Sequence, residues 1–515
     1  MSASGHLEKA TRESGPGARA TRSIDWSALA ALRMTRLVSD SRQVLPGDTF
    51  VAYPGETLDG RAFIADAIER GAASVLWDRA DFKWRAAWKV RHASVSNLQR
   101  HAGHIASEVY GRPSERLWMI GVTGTNGKTS CSHWIAQALT RLQRKCGVVG
   151  TLGSGIGEKL EPLVNTTPDA VWLQWRLREF VRRRVQAVSM EVSSHGLSQS
   201  RLSGVDIDVA LFTNLTRDHL DYHGSMRNYR RAKARLFTMP GLKTAVLNLD
   251  DRFGAALVAP TRRRGVQVLG YGFERALPPT LRGRRLPRLT ASHLRMSADG
   301  LAFDVSTPWG AGSIRSPLIG RFNAANLLGS LGVLLASDNT LEESIRALQR
   351  VAPVPGRMER YGGGRRPLAV VDYAHTPDAL ESVLQTLREL MDASSGRTGK
   401  LVCVFGCGGN RDRGKRALMG HIASTLADEV IVTSDNPRTE DPQAIIKDIL
   451  AGATTASAVI EDRKQAIHAA LRNAGAADIV LVAGKGHEPY QEIGGVRHPF
   501  SDAAVVRQAL AGSAS

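Results

Sequence analysis

The chain has 515 residues, 43% of them apolar, and four cysteines. At about 100–200 residues per domain it is too long for one and points to three, with enough apolar content for several cores. No run of about 18 uncharged apolar residues offers a membrane span, and Cys131, Cys146, Cys403 and Cys407 form no CxxC pair or disulfide framework and read as small buried thiols.

The net charge of +19 raises nucleic-acid binding. No helix-turn-helix, zinc finger or aromatic-rich RNA motif accompanies it. The arginines are scattered, with runs at Arg182 to Arg184, Arg262 to Arg264 and Arg282 to Arg288.

In chain order, Met1 to Arg22 is rich in Ser, Gly, Ala and charge. It lacks the apolar centre of a secretory signal and reads as a flexible tail on a cytoplasmic protein. Residues 23–116 form a first, small α/β domain. There the polar turn SDSRQVLPGD feeds a strand at Thr49 to Ala52, and DGRAFIADAIERG is a helical pattern closed by Gly71 and followed by an apolar strand.

Residues 117–350 form a second domain, opening with the apolar run Leu117 to Val122, then TGTNGKTS and a helix at Ser130 to Leu142. Strands at Gly147 to Thr151, Val185 to Met190, Val209 to Phe212 and Ala245 to Leu249 alternate with helices, which predicts a parallel sheet covered on both faces. Ala276 to Arg288 reads as a surface excursion, Ala298 to Ile314 as a β-hairpin, and Ala324 to Leu335 as a helix.

Residues 351–515 form a third domain. Its apolar runs LAVVDYAH, KLVCVFGCGGNRD, EVIVTSDNPR and DIVLVAGKGHE each end in a polar turn. Such turns lie at the C-terminal edge of a parallel sheet, where open α/β folds bind ligands.

The strongest chemical signal is Gly124, Thr125, Asn126, Gly127, Lys128 and Thr129 between a strand and a helix. Backbone N–H groups of such a turn face a phosphate, helped by the helix N-terminus. Lys128 reaches the β- and γ-phosphates, and the Thr129 hydroxyl suits Mg²⁺. The loop is a variant, because Val122 stands where the common pattern has its first glycine.

Further metal ligands belong at other strand ends. Glu191, before VSSHGLSQSR, and TNLTRDHLDYHG are so placed. His219 and His223 have H-x3-H spacing, open to zinc on a helix. The acidic, nucleotide-binding surroundings argue for magnesium. Taken alone, Lys233 reads as an ordinary helix-surface lysine.

The set TGTNGKT, MEVSSHGLSQSR, TNLTRDHLDYHG, YRRAKARLF, GRFNAANLL, GRMER, DYAHTPDAL and GCGGNRDRGKR resembles the Mur ligase family, in the family's order and over most of the chain. The resemblance implies an α/β protein of three domains: an N-terminal UDP-binding domain, a central P-loop-type ATPase domain with a parallel sheet, and a Rossmann-like C-terminal domain. It implies ATP-dependent amide formation through an acyl phosphate, with catalysis by positioning and charge stabilisation.

On that resemblance, Lys128, Glu191, His219 and Lys233 are catalytic. ATP is held by Gly124, Thr125, Asn126, Gly127, Lys128, Thr129 and Ser130. Asn323 and Asn326 lie on the adenine side, and Arg357, Asp372 and His375 close the C-terminal domain onto the nucleotide. Two Mg²⁺ ions are implied, held by Thr129, Glu191, His219 and Lys233, the last as a carbamate formed with CO₂.

The resemblance also implies the substrates. Ser39, Ser41, Glu56, Thr57 and Leu58 take the uridine diphosphate. Asn165, Thr166, Thr167, Ser193, Gln199 and Arg201 take a muramoyl-dipeptide. Arg411, Asp435, Asn436, Pro437, Arg438, Gly484 and Glu488 form an amino-acid pocket, with Arg438 gripping the far carboxylate of diaminopimelate by charge-assisted hydrogen bonds. DNPR is also read as a turn starting the next helix.

The alternatives are a lysine-adding or other Mur or folylpolyglutamate-type ligase, a nucleic-acid-dependent P-loop ATPase, and an inactive scaffold. SDSR with DNPR speaks against the other ligases, and EVSSH with RDHLDYH against the ATPase. The filled catalytic positions speak against the scaffold. The expected partners are small molecules, with no nucleic acid and no membrane span, and the expected state is a monomer.

Overall fold

The computed structural model describes residues 24–56, 58–274, 281, 285–297, 299–392 and 399–512. The expected tail at 1–22, Thr57 and most of the arginine-rich excursion lie outside the described residues.

The first domain is a parallel sheet of four strands in the order Leu37–Val38, Thr49–Ala52, Ser74–Asp78 and Arg91–Val95. The helix Leu98–Val109 turns Leu98, Ala102, Ile105 and Ala106 into the core at i, i+4, i+7 and i+8. Its start is fixed to the sheet by Asp78, whose Oδ2 accepts from the Leu98 N–H at 2.6 Å.

Seven parallel strands make the middle of an eleven-stranded central sheet. They run Arg288–Ser297, Gln267–Phe273, Thr244–Asn248, Val209–Phe212, Trp118–Thr123, Ala187–Glu191 and Cys146–Gly150. Helices on both faces bury the inner strands twice, which is why they are continuous apolar runs rather than alternating ones.

The expected parallel sheet is thus mixed at its edges, because antiparallel pairs extend it on both sides. The expected hairpin, Ala298 to Ile314, is Gly300–Thr307 paired with Gly310–Ser316, and it joins this same sheet. The helix Arg321–Leu335 is mostly apolar and is buried on every side beyond its first turns, with Leu327, Leu328, Leu331, Val333 and Leu334 each 0% exposed. It packs beside the helix Lys128–Arg141 in one core, and each such side chain contributes roughly 1.5–3 kcal/mol to seating them.

The C-terminal domain is a six-stranded sheet in the order Glu359–Gly362, Leu368–Asp372, Ile479–Ala483, Leu401–Phe405, Glu429–Val432 and Ala458–Val459. Only the first pair is antiparallel. The parallel strands bring the turns after Asp372, Phe405, Val432 and Ala483 to one edge.

One reading needs correction: DNPR does not start the next helix. Arg438 stands in the left-handed region at φ +55° and bridges to Ile493, and the helix begins at Pro442 under an Asp441 cap. The four cysteines are buried, and burial pushes each thiol up to about 12.

Candidate active site

The strand Trp118–Thr123 delivers the phosphate loop, and the helix Lys128–Arg141 leaves it. Gly127 caps that helix at φ +83°, where a side chain is strained, and a Cβ there would stand 2.5 Å from Asn326 Oδ1. A Cβ on Gly124 would stand 1.8 Å from Thr213 Oγ1.

Neighbouring strand ends brace the loop. Thr125 N–H donates to Asn214 O at 2.9 Å, Asn126 N–H to Asn214 Oδ1 at 2.9 Å, and Thr213 Oγ1 to Asn126 O at 2.6 Å. Lys128 folds back, its Nζ donating to Gly124 O at 3.0 Å and Thr125 O at 2.8 Å, and burial lowers its pKa. Ser130 is buried in the first turn of the helix.

Glu191 ends its strand fully buried. Its Oε1 accepts from Thr151 N–H at 2.7 Å, and its Oε2 from the Thr129 hydroxyl at 3.0 Å and the Thr151 hydroxyl at 3.1 Å. Among the described residues no group of three or more His, Cys, Asp or Glu forms a metal cage. A hydroxyl and one buried carboxylate beside a phosphate loop nevertheless fit magnesium, which takes few protein oxygens and completes its shell with phosphate and water.

Lys233 is not a helix-surface lysine. It is 1% exposed, its Nζ donates to Gly124 O at 2.6 Å, and it lies 4.7 Å from the centre of the Tyr229 ring. Burial, then the charge of Lys128, drives its pKa well down.

His219 stands at φ +53° with its Nε2 3.2 Å from Asp218 Oδ2. Burial depresses its pKa to about 3 despite Asp218, so the ring is neutral. His223 bonds Ser194 Oγ at 2.9 Å, so the two histidines of the H-x3-H spacing have different partners.

The C-terminal domain closes over this group. Arg357 donates to Thr129 Oγ1 at 3.1 Å and lies 4.5 Å from the Tyr373 ring centre. Asp372 accepts from Met358 N–H at 2.7 Å, and burial raises its pKa to about 6. His375 is held by Tyr373 O at 2.7 Å, with burial and then Lys415 lowering it to about 4. Asn126 Nδ2 donates to Asp378 Oδ2 at 3.0 Å, and Arg217 pairs with Asp412 at 3.1 Å. Asn326 supports the phosphate loop at Gly127, while Asn323 Nδ2 bonds Ile319 O at 2.8 Å.

A second set of residues joins the first two domains. Ser39 Oγ donates to Asp169 Oδ1 at 3.0 Å, and the buried Ser41 hydroxyl bonds the Asp66 carboxylate. Glu56 accepts from Gln199 Nε2 at 2.6 Å and from the Tyr222 hydroxyl. Leu58 is exposed and its carbonyl accepts from Gly55 N–H at 2.8 Å; Asn165 is exposed.

Thr166 Oγ1 is 3.0 Å from Thr151 Oγ1. Thr167 Oγ1 donates to Glu191 O at 2.9 Å and accepts from Ser193 N–H at 2.9 Å, and Arg201 donates to Thr167 O at 2.7 Å. These contacts run without a break from Arg201 to Glu191.

A third set lies on the C-terminal turns. Arg438 donates to Gly409 O at 2.7 Å and keeps its Nε 4.0 Å from Glu492, with the exposed Arg411 on the adjacent turn. Glu488 Oε2 accepts from Asn436 Nδ2 at 2.7 Å and Lys485 Nζ at 3.0 Å, and its Oε1 from Tyr373 Oη at 3.4 Å. Pro437 O lies against Gly409, and a Cβ on Gly484 would stand 2.5 Å from Asp435 Oδ2.

Sequence reasoning missed Thr151, Asp169, Asp218, Tyr222, Asp378, Lys415 and Lys485. Asp218, Tyr222, Asp378, Lys415 and Lys485 sat inside quoted motifs. Thr151 and Asp169 act through contacts between distant segments.

Three family descriptions match in order: "Mur ligase family, catalytic domain" over residues 33–110, "Mur ligase middle domain" over 122–334, and "Mur ligase, glutamate ligase domain" over 356–486. A Chromobacterium violaceum UDP-N-acetylmuramoyl-L-alanyl-D-glutamate–2,6-diaminopimelate ligase is 50% identical over 96% of this chain and 98% of its own length. The ligase of the same name from Neisseria meningitidis serogroup B is 48% identical over 92% of this chain and 94% of its own.

A solved structure of a ligase of that name is 37% identical with a TM-score of 0.64, over 94% of this chain and 96% of its own. The MurF ligase from Thermotoga maritima in complex with ADP shares the fold at 18% identity and a TM-score of 0.61, over 88% of this chain and 94% of its own. With the three descriptions in order and relatives alike over nearly their full length, the chain belongs to the Mur ligase family.

Proposed function

We propose that the chain joins meso-diaminopimelate to the D-glutamate of UDP-N-acetylmuramoyl-L-Ala-D-Glu, converting ATP to ADP and phosphate in peptidoglycan precursor synthesis. The observation that carries this reading is that contacts from the phosphate loop, from the C-terminal turns and from the Arg201 side all reach one bonded pair of side chains, Thr129 and Glu191. From Thr129, contacts run through Arg357 and Tyr373 to Glu488 and Asn436 in the amino-acid turns. From Glu191, they run through Thr167 to Arg201 on the dipeptide side.

In this reading the γ-phosphoryl group passes to the glutamate carboxylate and forms an acyl phosphate. The amine of diaminopimelate attacks the acyl carbon, and phosphate leaves as the amide forms. Lys128 and the loop N–H groups hold the phosphates, and Arg357 brings a second cation as the C-terminal domain closes. Arg201, Thr166, Thr167 and Ser193 orient the dipeptide, with Gln199 and Glu56 at its far side. Ser39, Ser41 and the turn at Leu58 take the uridine diphosphate.

Arg438 and Arg411 take the far carboxylate of diaminopimelate, and Glu488 with Asn436 its far ammonium. Thr129, Glu191, His219 and a carbamate on Lys233 hold Mg²⁺, which supplies charge neutralisation for the phosphates. Burial that lowers the Lys233 pKa favours the unprotonated amine, the form that captures CO₂.

The expected monomer, the small-molecule partners and a cytoplasmic place go with this reading. No helix among the described residues is long and apolar enough to cross a membrane.

The test is phosphate release from ATP and Mg²⁺ with the UDP-muramoyl-dipeptide, comparing meso-diaminopimelate with L-lysine. Release with diaminopimelate alone is expected. Release with lysine, or with neither, overturns the choice of substrate.

A further inference from the structure

The amino-acid turns grow from strands that are not neighbours. Leu401–Phe405 separates Glu429–Val432 from Ile479–Ala483 in the sheet, so no ladder hydrogen bond ties the Asp435 turn to the Gly484 turn. Side chains do so instead, Asn436 directly with Glu488 and Lys485 at the tips of the turns, and Arg463 at their bases. Arg463 Nη2 donates to Ala483 O at 2.8 Å and Nη1 to Ser434 O at 3.4 Å, the carbonyls just ahead of Gly484 and Asp435. Asp502 grips the same guanidinium through both carboxylate oxygens, each at 2.8 Å.

The placement is costly. Both side chains are 0% exposed, and a buried ion pair loses hydration that well-packed apolar residues would not. Arg463 also begins the helix Arg463–Asn473, where the helix dipole disfavours a cation. Apolar packing could hold the helix there, but it could not donate to two carbonyls across an intervening strand. The cation also faces the carboxylates of Asp435 and Glu488.

We propose that Arg463, oriented by Asp502, is a positioning residue that sets the spacing of the Asp435–Asn436 turn against the Gly484–Glu488 turn, and thereby the selectivity for an amino acid with a second carboxylate. The inference rests on reading these turns as the amino-acid pocket.

The experiment is steady-state kinetics and thermal melting of Arg463→Lys, Arg463→Met and Asp502→Asn. Arg463→Lys keeps the charge opposite Asp502 but cannot span both carbonyls, so it carries the test even if Arg463→Met fails to fold. The expected result is a KM for diaminopimelate raised roughly tenfold or more, a lowered preference for it over lysine, and a KM for ATP within about twofold, with cooperative melting retained.

An unchanged amino-acid KM overturns the proposal, and so does a general loss of kcat with a lowered Tm, which marks a purely structural pair. Arg438→Ala is the control. If it too leaves the preference over lysine intact, the pocket reading itself fails. If it lowers the preference while the Arg463 variants do not, only the present inference fails.

Discussion

Two side chains carry the most specific consequences. Arg438 holds its guanidinium between Gly409 O and Glu492 and is partly open. Truncation to alanine leaves a far carboxylate without its charge-assisted partner. Arg438→Ala is therefore expected to weaken use of diaminopimelate by roughly a hundredfold, about 3 kcal/mol; equal turnover of wild type and variant would remove the specificity argument. Lys233 makes a different demand. A bare ammonium that is 1% exposed and bonded to one carbonyl is poorly compensated, whereas a carbamate gives the site an anion to set against magnesium. Activity in CO₂-depleted buffer is expected to fall and to return with bicarbonate, and indifference to bicarbonate would exclude the adduct.

At the scale of elements, the active site is a set of strand ends held in unusual backbone. His219 and Arg438 both occupy the left-handed region, at φ +53° and φ +55°. Residues other than glycine stay there only where the surroundings over-determine them. The phosphate loop shows the same economy of space. Gly127→Ala places a methyl group against Asn326 at a backbone angle costing about 1–2 kcal/mol. The expected outcome is a raised KM for ATP with a smaller change for the amino acid, read by varying each substrate in turn. Equal effects on all substrates would mean that the whole central domain, not the loop, had shifted.

For the whole molecule, the seam between central and C-terminal domains buries titratable groups that oppose one another. Burial depresses His375 to about 4 and His487 to about 3 from 6.5. Each lowered histidine contributes stability above pH 6.5 that is lost as pH falls, at up to about 1.4 kcal/mol per pH unit. Asp372 is raised to about 6 from 3.8, so its contribution is present at low pH and lost as pH rises through about 6. Two histidines against one aspartate predict a net loss of stability between about pH 6.5 and 5. Chemical denaturation across that range checks it. Asp372→Asn removes the opposing carboxylate, so acid loss is expected to steepen, and a shallower slope in the variant would contradict the assignment.

Much of this was written locally in the chain. The doubly buried strands announce themselves as unbroken apolar runs, the phosphate loop by its glycines between strand and helix, and the four C-terminal turns by polar residues after such runs. Local chemistry dictates those features, because φ freedom, capping and burial act over a few residues. The long-range pairing was not legible. Nothing in the spacing shows that Gly300–Ser316 joins the central sheet, that Lys233 is buried beneath the phosphate loop, or that Thr151 hydrogen-bonds Glu191. DNPR was legible as a turn, but its backbone is set by a partner at Ile493 rather than by the helix that follows. The sequence by itself determined the elements, their order and the chemistry each turn can offer. Only the tertiary structure decided which side chains meet and which charges lose their water, because desolvation and contact depend on segments far apart in the chain.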